Sequence, residues 1–213
     1  MPATPTSTRQ HFGGGHTVNK ANTTTTITSD NPDPSVVRRN RNGSICRIGR
    51  RPQRGTPTGN VTVSDGTSSC TATVAAGQCN LTFTSVGAKT LTATYAGDSN
   101  FNGSTSASAA HTVNKANSTT TITADTPDPR PWAGAVTVNF SVVASAPGAG
   151  TPTGNVTVSD GVDSCTGTVA AGSCVITLTN AGNRFLTATY AGDSNFNLTC
   201  TSADEPHGIQ PER

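Results

Sequence analysis

The residues best able to form a chemical site in this 213-residue chain are its cysteines, two Asp-Ser-Asn turns and two junction histidines. Cys70 and Cys79 stand nine residues apart, and Cys165 and Cys174 repeat that spacing. Buried thiols, a metal site and one disulfide per pair are the three readings. No histidine accompanies the thiols at ligand spacing, which weighs against metal. Pairing at a fixed spacing favours Cys70–Cys79 and Cys165–Cys174 bridges, formed in an oxidising compartment. Strand register argues the other way. A two-residue turn at Ala76-Gly77 would place Val74 opposite Cys79 and leave Cys70 about 13 Å away along the strand. A disulfide needs Cα atoms within roughly 7 Å, so the bridge requires a wider loop or an interrupted strand. Cys46 and Cys200 have no counterparts.

Ala-Gly-Asp-Ser-Asn-Phe, with Asp98 and Asn100 and again with Asp193 and Asn195, offers one carboxylate and one amide each time. Calcium takes six or more oxygens, so a structural turn is the expectation. Tyr95 and Tyr190 end a strand and read as core anchors. His16 and His111 read as solvated linker residues. No motif supports a Ser-His-Asp triad or a carboxylate pair, so no catalytic, cofactor-binding or metal-binding residue is assigned, and the chain is expected not to be an enzyme.

The elements that position these residues come as a repeat. His16 to Asn22 returns as His111 to Asn117, TPTGNVTVSDG at 56–66 returns at 151–161, and LTATYAGDSNFN at 91–102 returns at 186–197, always 95 residues on. A fixed period marks tandem copies of one folding unit. Sparse charge, abundant Thr, and frequent Gly and Pro indicate short strands and tight turns.

Positions 38–54 break the repeat. Seven of the fourteen Lys and Arg residues fall there, where the second copy has the alternating AGAVTVNFSVVASAPGA. Codons for this block read from the second base permit the second-copy residue at eleven of seventeen positions. Codons for Met1 to Gln10 read one base earlier permit the Tyr95–Ser104 sequence at nine of ten. Both stretches therefore read as out-of-frame text inside a longer array rather than as a nucleic-acid-binding loop. Without those seven arginines the formal charge of +2 would be −5. Resequencing codons 36–56 tests this.

The second copy shows the architecture. Thr119–Thr123 is a first strand. Val136, Val138, Phe140 and Val142 alternate and should face a core, as should Val156 and Val158. Cys165–Val169 and Cys174–Leu178 flank Ala-Ala-Gly as an expected hairpin, and Phe185–Tyr190 is a longer strand. About seven strands in about 95 residues is the pattern of an all-β, immunoglobulin-like sandwich. The boundaries are 1–15, a remnant of a preceding repeat; 16–110 and 111–206, the two repeats; and 207–213, the start of a linker.

The order TPTGNVTVSDG, CTGTVAAGSC, LTATYAGDSNFN resembles the bacterial Ig-like domain repeats (Big family) of exported surface proteins. The resemblance covers nearly all of 112–206 and most of 16–111 outside 38–54. It implies a non-catalytic structural or adhesive spacer, secreted or on the cell surface, with a protein or glycan as unknown surface ligand and the neighbouring repeats as partners. No nucleic acid, cofactor or membrane span is expected: no stretch reaches the roughly 20 apolar residues a span needs. The N-terminus shows no apolar signal-peptide core. Two alternatives stand beside it: a carbohydrate-binding module, for which Trp132 is the single tryptophan available, and a non-functional fragment of a frame-damaged gene.

Overall fold

The computed structural model describes residues 17–38, 44–49, 55–127, 130–131, 134–180 and 182–210; the side chains of 44–49, 130–131 and 201–210 lie outside the description. The first unit runs β1 (Thr24–Asp30), β2 (Ser35–Val36), β3 (Ser44–Gly49), β4 (Asn60–Ser64), β5 (Ser69–Thr73), β6 (Gln78–Cys79), β7 (Gly87–Tyr95), β8 (Ser104–Thr105) and β9 (Ala109–Asn114). The second runs β10 (Ser118–Thr126), β11 (Arg130–Pro131), β12 (Gly134–Ala144), β13 (Asn155–Ser159), β14 (Ser164–Thr168), β15 (Ser173–Leu178), β16 (Gly182–Tyr190) and β17 (Thr199–Gln210). The described residues contain no helix.

Each unit is a sandwich of two sheets. In the second, β10-β12-β15 faces β11-β17-β16-β13-β14; in the first, β1-β3-β6 faces β2-β9-β7-β4-β5, with β8 on β7. The second unit thus has eight strands where about seven were expected, because the short β11 peels from β10 and pairs in parallel with β17 on the opposite sheet. The alternation in β12 has the expected consequence. Val136 and Val138 are 0% exposed, and they meet the equally buried Val156, Val158 and Tyr190 from the facing sheet. A side-chain period of two leaves one strand face for the core and the other, rich in Thr, for water.

The first unit solves the same problem with a poorer strand. Val138, Phe140 and Val142 pair with Cys174, Ile122 and Thr120. The partners equivalent by the 95-residue repeat are Cys79, Ile27 and Thr25, and they pair with Ser44, Cys46 and Ile48. The repeat alone would have put Gly43, Ile45 and Arg47 there. β3 has therefore slipped by one residue. A slip of one exchanges the two positions of a strand's alternation, so Ser44, Cys46 and Ile48 stand opposite Cys79, Ile27 and Thr25 in place of Gly43, Ile45 and Arg47. Within the block that breaks the repeat, Ser44–Gly49 is thus a strand; apart from Arg38 the remainder of that block lies outside the described residues, as do 1–16.

A small cleft, with a volume of about 10 Å³ open to water-sized centres, lies in the first unit between Val61, Val63, Ala72 and Cys79. In the second unit Phe140 lies at the corresponding wall: a Cβ on Gly167, the counterpart of Ala72, would stand 3.1 Å from the Phe140 ring.

Candidate functional site

Three constructions hold chemistry-bearing side chains in place, and each begins with a local feature of the sequence.

The first is the cysteine pair. The expected Ala-Ala-Gly hairpin is not formed. β5 pairs with β4, whereas β6 pairs with β3 on the other sheet. The turn that starts at Thr73, with the Ala76 and Gly77 amides donating to the Thr73 carbonyl at 3.0 and 3.2 Å, carries the chain across the sandwich. Crossing sheets removes the register objection. Cys70 and Cys79 lie with Cα atoms 5.8 Å apart and Sγ atoms bonded, and Cys165 and Cys174 repeat this at 5.9 Å. Each bond ties one sheet to the other beside the turn that links them. Cys200 is free and exposed.

The second is the AGDSNF turn. Asp98 Oδ1 accepts the Asn100 and Phe101 amides at 2.8 Å, and Oδ2 accepts the Thr58 amide at 2.8 Å and the Thr58 hydroxyl at 2.9 Å. Asp193 does the same with Asn195, Phe196 and Thr153. Four donors saturate each carboxylate, which locks the Thr-Pro-Thr-Gly loop to the end of the long strand. The Thr58 amide leads in holding Asp98 well below the usual carboxylate range. Partial burial pushes Asp193 up, but the Asn195 amide and the two Thr153 groups outweigh it and bring it to about 2. Gly97 makes the turn possible: its φ is +85°, and a Cβ there would stand 2.8 Å from the Phe101 carbonyl oxygen. Tyr95 and Tyr190, 1% and 0% exposed, anchor the core beside these turns. Burial first, and the Asp193 charge second, push the Tyr190 hydroxyl up to about 12.

The third was not anticipated. His111 is a buried residue of β9, 2% exposed, not a solvated linker residue. The 95-residue sequence period begins at His111, but β9 pairs with β7 and the folded unit continues through Asn114. The ring stacks on Phe83 at 4.5 Å. Its Nδ1 lies 2.7 Å from Asp30 Oδ2 and 3.6 Å from Asp33 Oδ1, and its Nε2 lies 2.7 Å from Ser35 Oγ. Asp30 ends β1 on one sheet and Ser35 opens β2 on the other. One imidazole therefore fastens both ends of the segment that switches sheets. Asp33, within that segment, is held by the Thr112 amide at 2.9 Å. Burial raises Asp30 above the usual carboxylate range, against the opposing pull of His111. The order Ser35–His111–Asp30 is that of a hydrolytic triad, but Ser35 is only 8% exposed and sits in strand pairing with β9. A substrate carbonyl has no approach to its Oγ there. The signal for this cluster was in the repeat: Asp30 and Asp33 recur as Asp125 and Asp128, just as His16 recurs as His111. His16, Trp132 and Cys46's side chain lie outside the described residues.

Fold and clasp together define tandem immunoglobulin-like sandwiches, each stapled across its two sheets. The chain belongs to the bacterial Ig-like domain (group 3) family, whose model matches residues 48–114 and 117–205. In the first unit that match begins only at Ile48, inside the segment that breaks the repeat. A solved structure of fibronectin(III)-like modules of CbhA from Clostridium thermocellum is similar at 18% identity and a TM-score of 0.36, covering 88% of this chain and 94% of that one. No curated protein matches the chain. Domains of this kind are typically non-catalytic, and the family and the disulfides fit extracellular proteins. No helix is long and apolar enough to cross a membrane among the described residues.

Proposed function

We propose that the chain is a non-catalytic spacer from a secreted or cell-surface bacterial protein, in which stiffly joined sandwiches hold an adhesive surface away from its base. The folding units run from about residue 16 to 114 and from about 115 to 210 in this reading. The observation that carries it is the joint between them. The first unit runs to Asn114, whose carbonyl accepts the Val37 amide at 3.0 Å. The second unit already holds Ala116, which is 0% exposed. The Ala116 amide donates to the Asn195 carbonyl at 2.8 Å, and its carbonyl accepts from the Asn197 amide at 2.9 Å. Lys115 alone lies between, and its ammonium donates to the Asp193 carbonyl at 2.6 Å. Ala21 makes the same pair of bonds, to Asn100 and Asn102, at the start of the first unit. The Val-Asn-Lys-Ala-Asn sequence is thus a joint in which each unit seizes its linker one residue after its predecessor releases it. A one-residue link leaves few torsions to bend, whereas a flexible linker would let the units tumble independently.

Small-angle scattering of the full chain tests the proposal. The native joint should give one narrow, extended distance distribution, and four Gly-Ser residues inserted after Lys115 should broaden and shorten it. Native scattering indistinguishable from that of the insertion variant would overturn the spacer reading.

A further inference from the structure

We propose that Asp30, Asp33 and His111 form a binding site for a divalent transition-metal ion of the zinc class. The three donor atoms, two carboxylate oxygens and one imidazole nitrogen, all lie within 4.8 Å of one another. A tetrahedral ion with bonds of about 2.0–2.1 Å spaces its ligands about 3.3 Å apart. The observed Nδ1 separations of 2.7 Å and 3.6 Å bracket that value, and with all three atoms within 4.8 Å of one another closure around an ion calls for side-chain shifts of roughly half an ångström or more and no change of fold. One nitrogen and two oxygens suit zinc-class ions, and they are too few and too mixed for calcium, which takes six to eight oxygens.

The surroundings supply what a ligating histidine requires. The ring is fixed by Phe83 stacking and by Ser35 on its far nitrogen. Such a partner on the non-ligating nitrogen orients a metal-bound imidazole. Ser35 serves both states, because a hydroxyl donates and accepts. Without metal, Nδ1–H donates to Asp30 and the Ser35 hydroxyl donates to Nε2. With metal the neutral ring changes tautomer: Nδ1 gives its proton to solvent and binds the ion through its lone pair, and Nε2 takes up a proton from solvent and donates it to the Ser35 oxygen, with no net proton released by the ring. The Thr112 amide keeps Asp33 in place. Asp33 is 39% exposed and forms the mouth, which leaves the fourth position to water. An ion there would add a crosslink between the sheet-switching segment and the strand that ends at the joint.

The test is zinc titration of the metal-free full chain, read by calorimetry and by the ring-nitrogen NMR shifts of His111. Zinc should bind at micromolar or tighter concentration and shift both ring nitrogens of His111, Nδ1 to a metal-bound position and Nε2 from an unprotonated to a protonated one. Asp33→Asn, at a half-exposed position that leaves the buried imidazole bonds intact, should weaken this binding at least tenfold. His111→Gln should abolish it, with circular dichroism reporting that the fold persists. Cobalt in place of zinc should give a tetrahedral visible spectrum without the near-ultraviolet thiolate band that Cys46 or Cys200 would produce. Unshifted His111 nitrogens, a thiolate band, or equal affinity in Asp33→Asn would each overturn the assignment.

Discussion

Phe140→Ala is the substitution that should turn the core of the second unit into that of the first. Phe140 is 4% exposed, abuts Gly167, and occupies the wall where the first unit has its cleft. Truncation to alanine removes roughly 100–150 Å² of buried apolar surface, about 3 kcal/mol at about 25 cal/mol per Å². The unfilled volume adds a cavity term, because the flanking disulfide and the two sheets restrain collapse, and the total comes to about 3–5 kcal/mol. That is a large share of a small domain's roughly 5–15 kcal/mol. Calorimetry of the full chain should show the second unit's transition fall by about 12 °C or more while the first unit's transition stays in place. Phe185→Ala, at a side chain 58% exposed, is the control and should cost under about 0.5 kcal/mol. A loss below about 1 kcal/mol for Phe140→Ala would refute the reasoning, because it would mean that the β12 bulk missing from the first unit does not matter.

Separately expressed 112–206 should melt cooperatively and well above 16–111, whose sequence at 38–54 lacks the Val/Phe alternation of 133–149; equal melting points would contradict this. Gly167→Ala should destabilise the second unit by about 1–3 kcal/mol in urea unfolding, since the added methyl meets the Ser173 carbonyl oxygen and the Phe140 ring. Replacing Cys165 and Cys174 by serine should cost about 2–3 kcal/mol, the chain-entropy value for a loop of this length. Non-reducing mass spectrometry of oxidatively folded protein should find the two nine-residue bridges and no link to Cys200. Asp193, at about 2 when folded against an ordinary 3.8, contributes stability that is complete above about pH 4 and is lost as pH falls toward 2. Asp98 acts in the same direction. Asp193→Asn should therefore lower stability at neutral pH and flatten the acid limb of an unfolding-versus-pH curve; an unchanged acid limb would assign that loss to other carboxylates.

Local pattern was enough to determine the repeat, the β class and most of the core. Alternation in Gly134–Ala144 placed Val136, Val138, Phe140 and Val142 on one face, because a strand's period of two is a property of the backbone. The AGDSNF turn was legible for a similar reason: an aspartate bonding amides two and three residues on is a short-range interaction. The nine-residue cysteine spacing was visible, but whether it permits a bond depended on which sheet each strand joins, and sheet choice is a long-range matter. Reading Ala-Ala-Gly as a hairpin kept both strands in one sheet and made the bridge look strained. The one-residue slip of β3 shows only in its pairing partners Thr25, Ile27 and Cys79, two of which lie on a separate strand some twenty residues upstream and the third more than thirty downstream. His111 lay furthest from the sequence. It sits 81 residues from Asp30 and 76 from Ser35, and a lone histidine beside a linker carries no local mark of burial. Closure of the two sheets around the switching segment is what brought the three together.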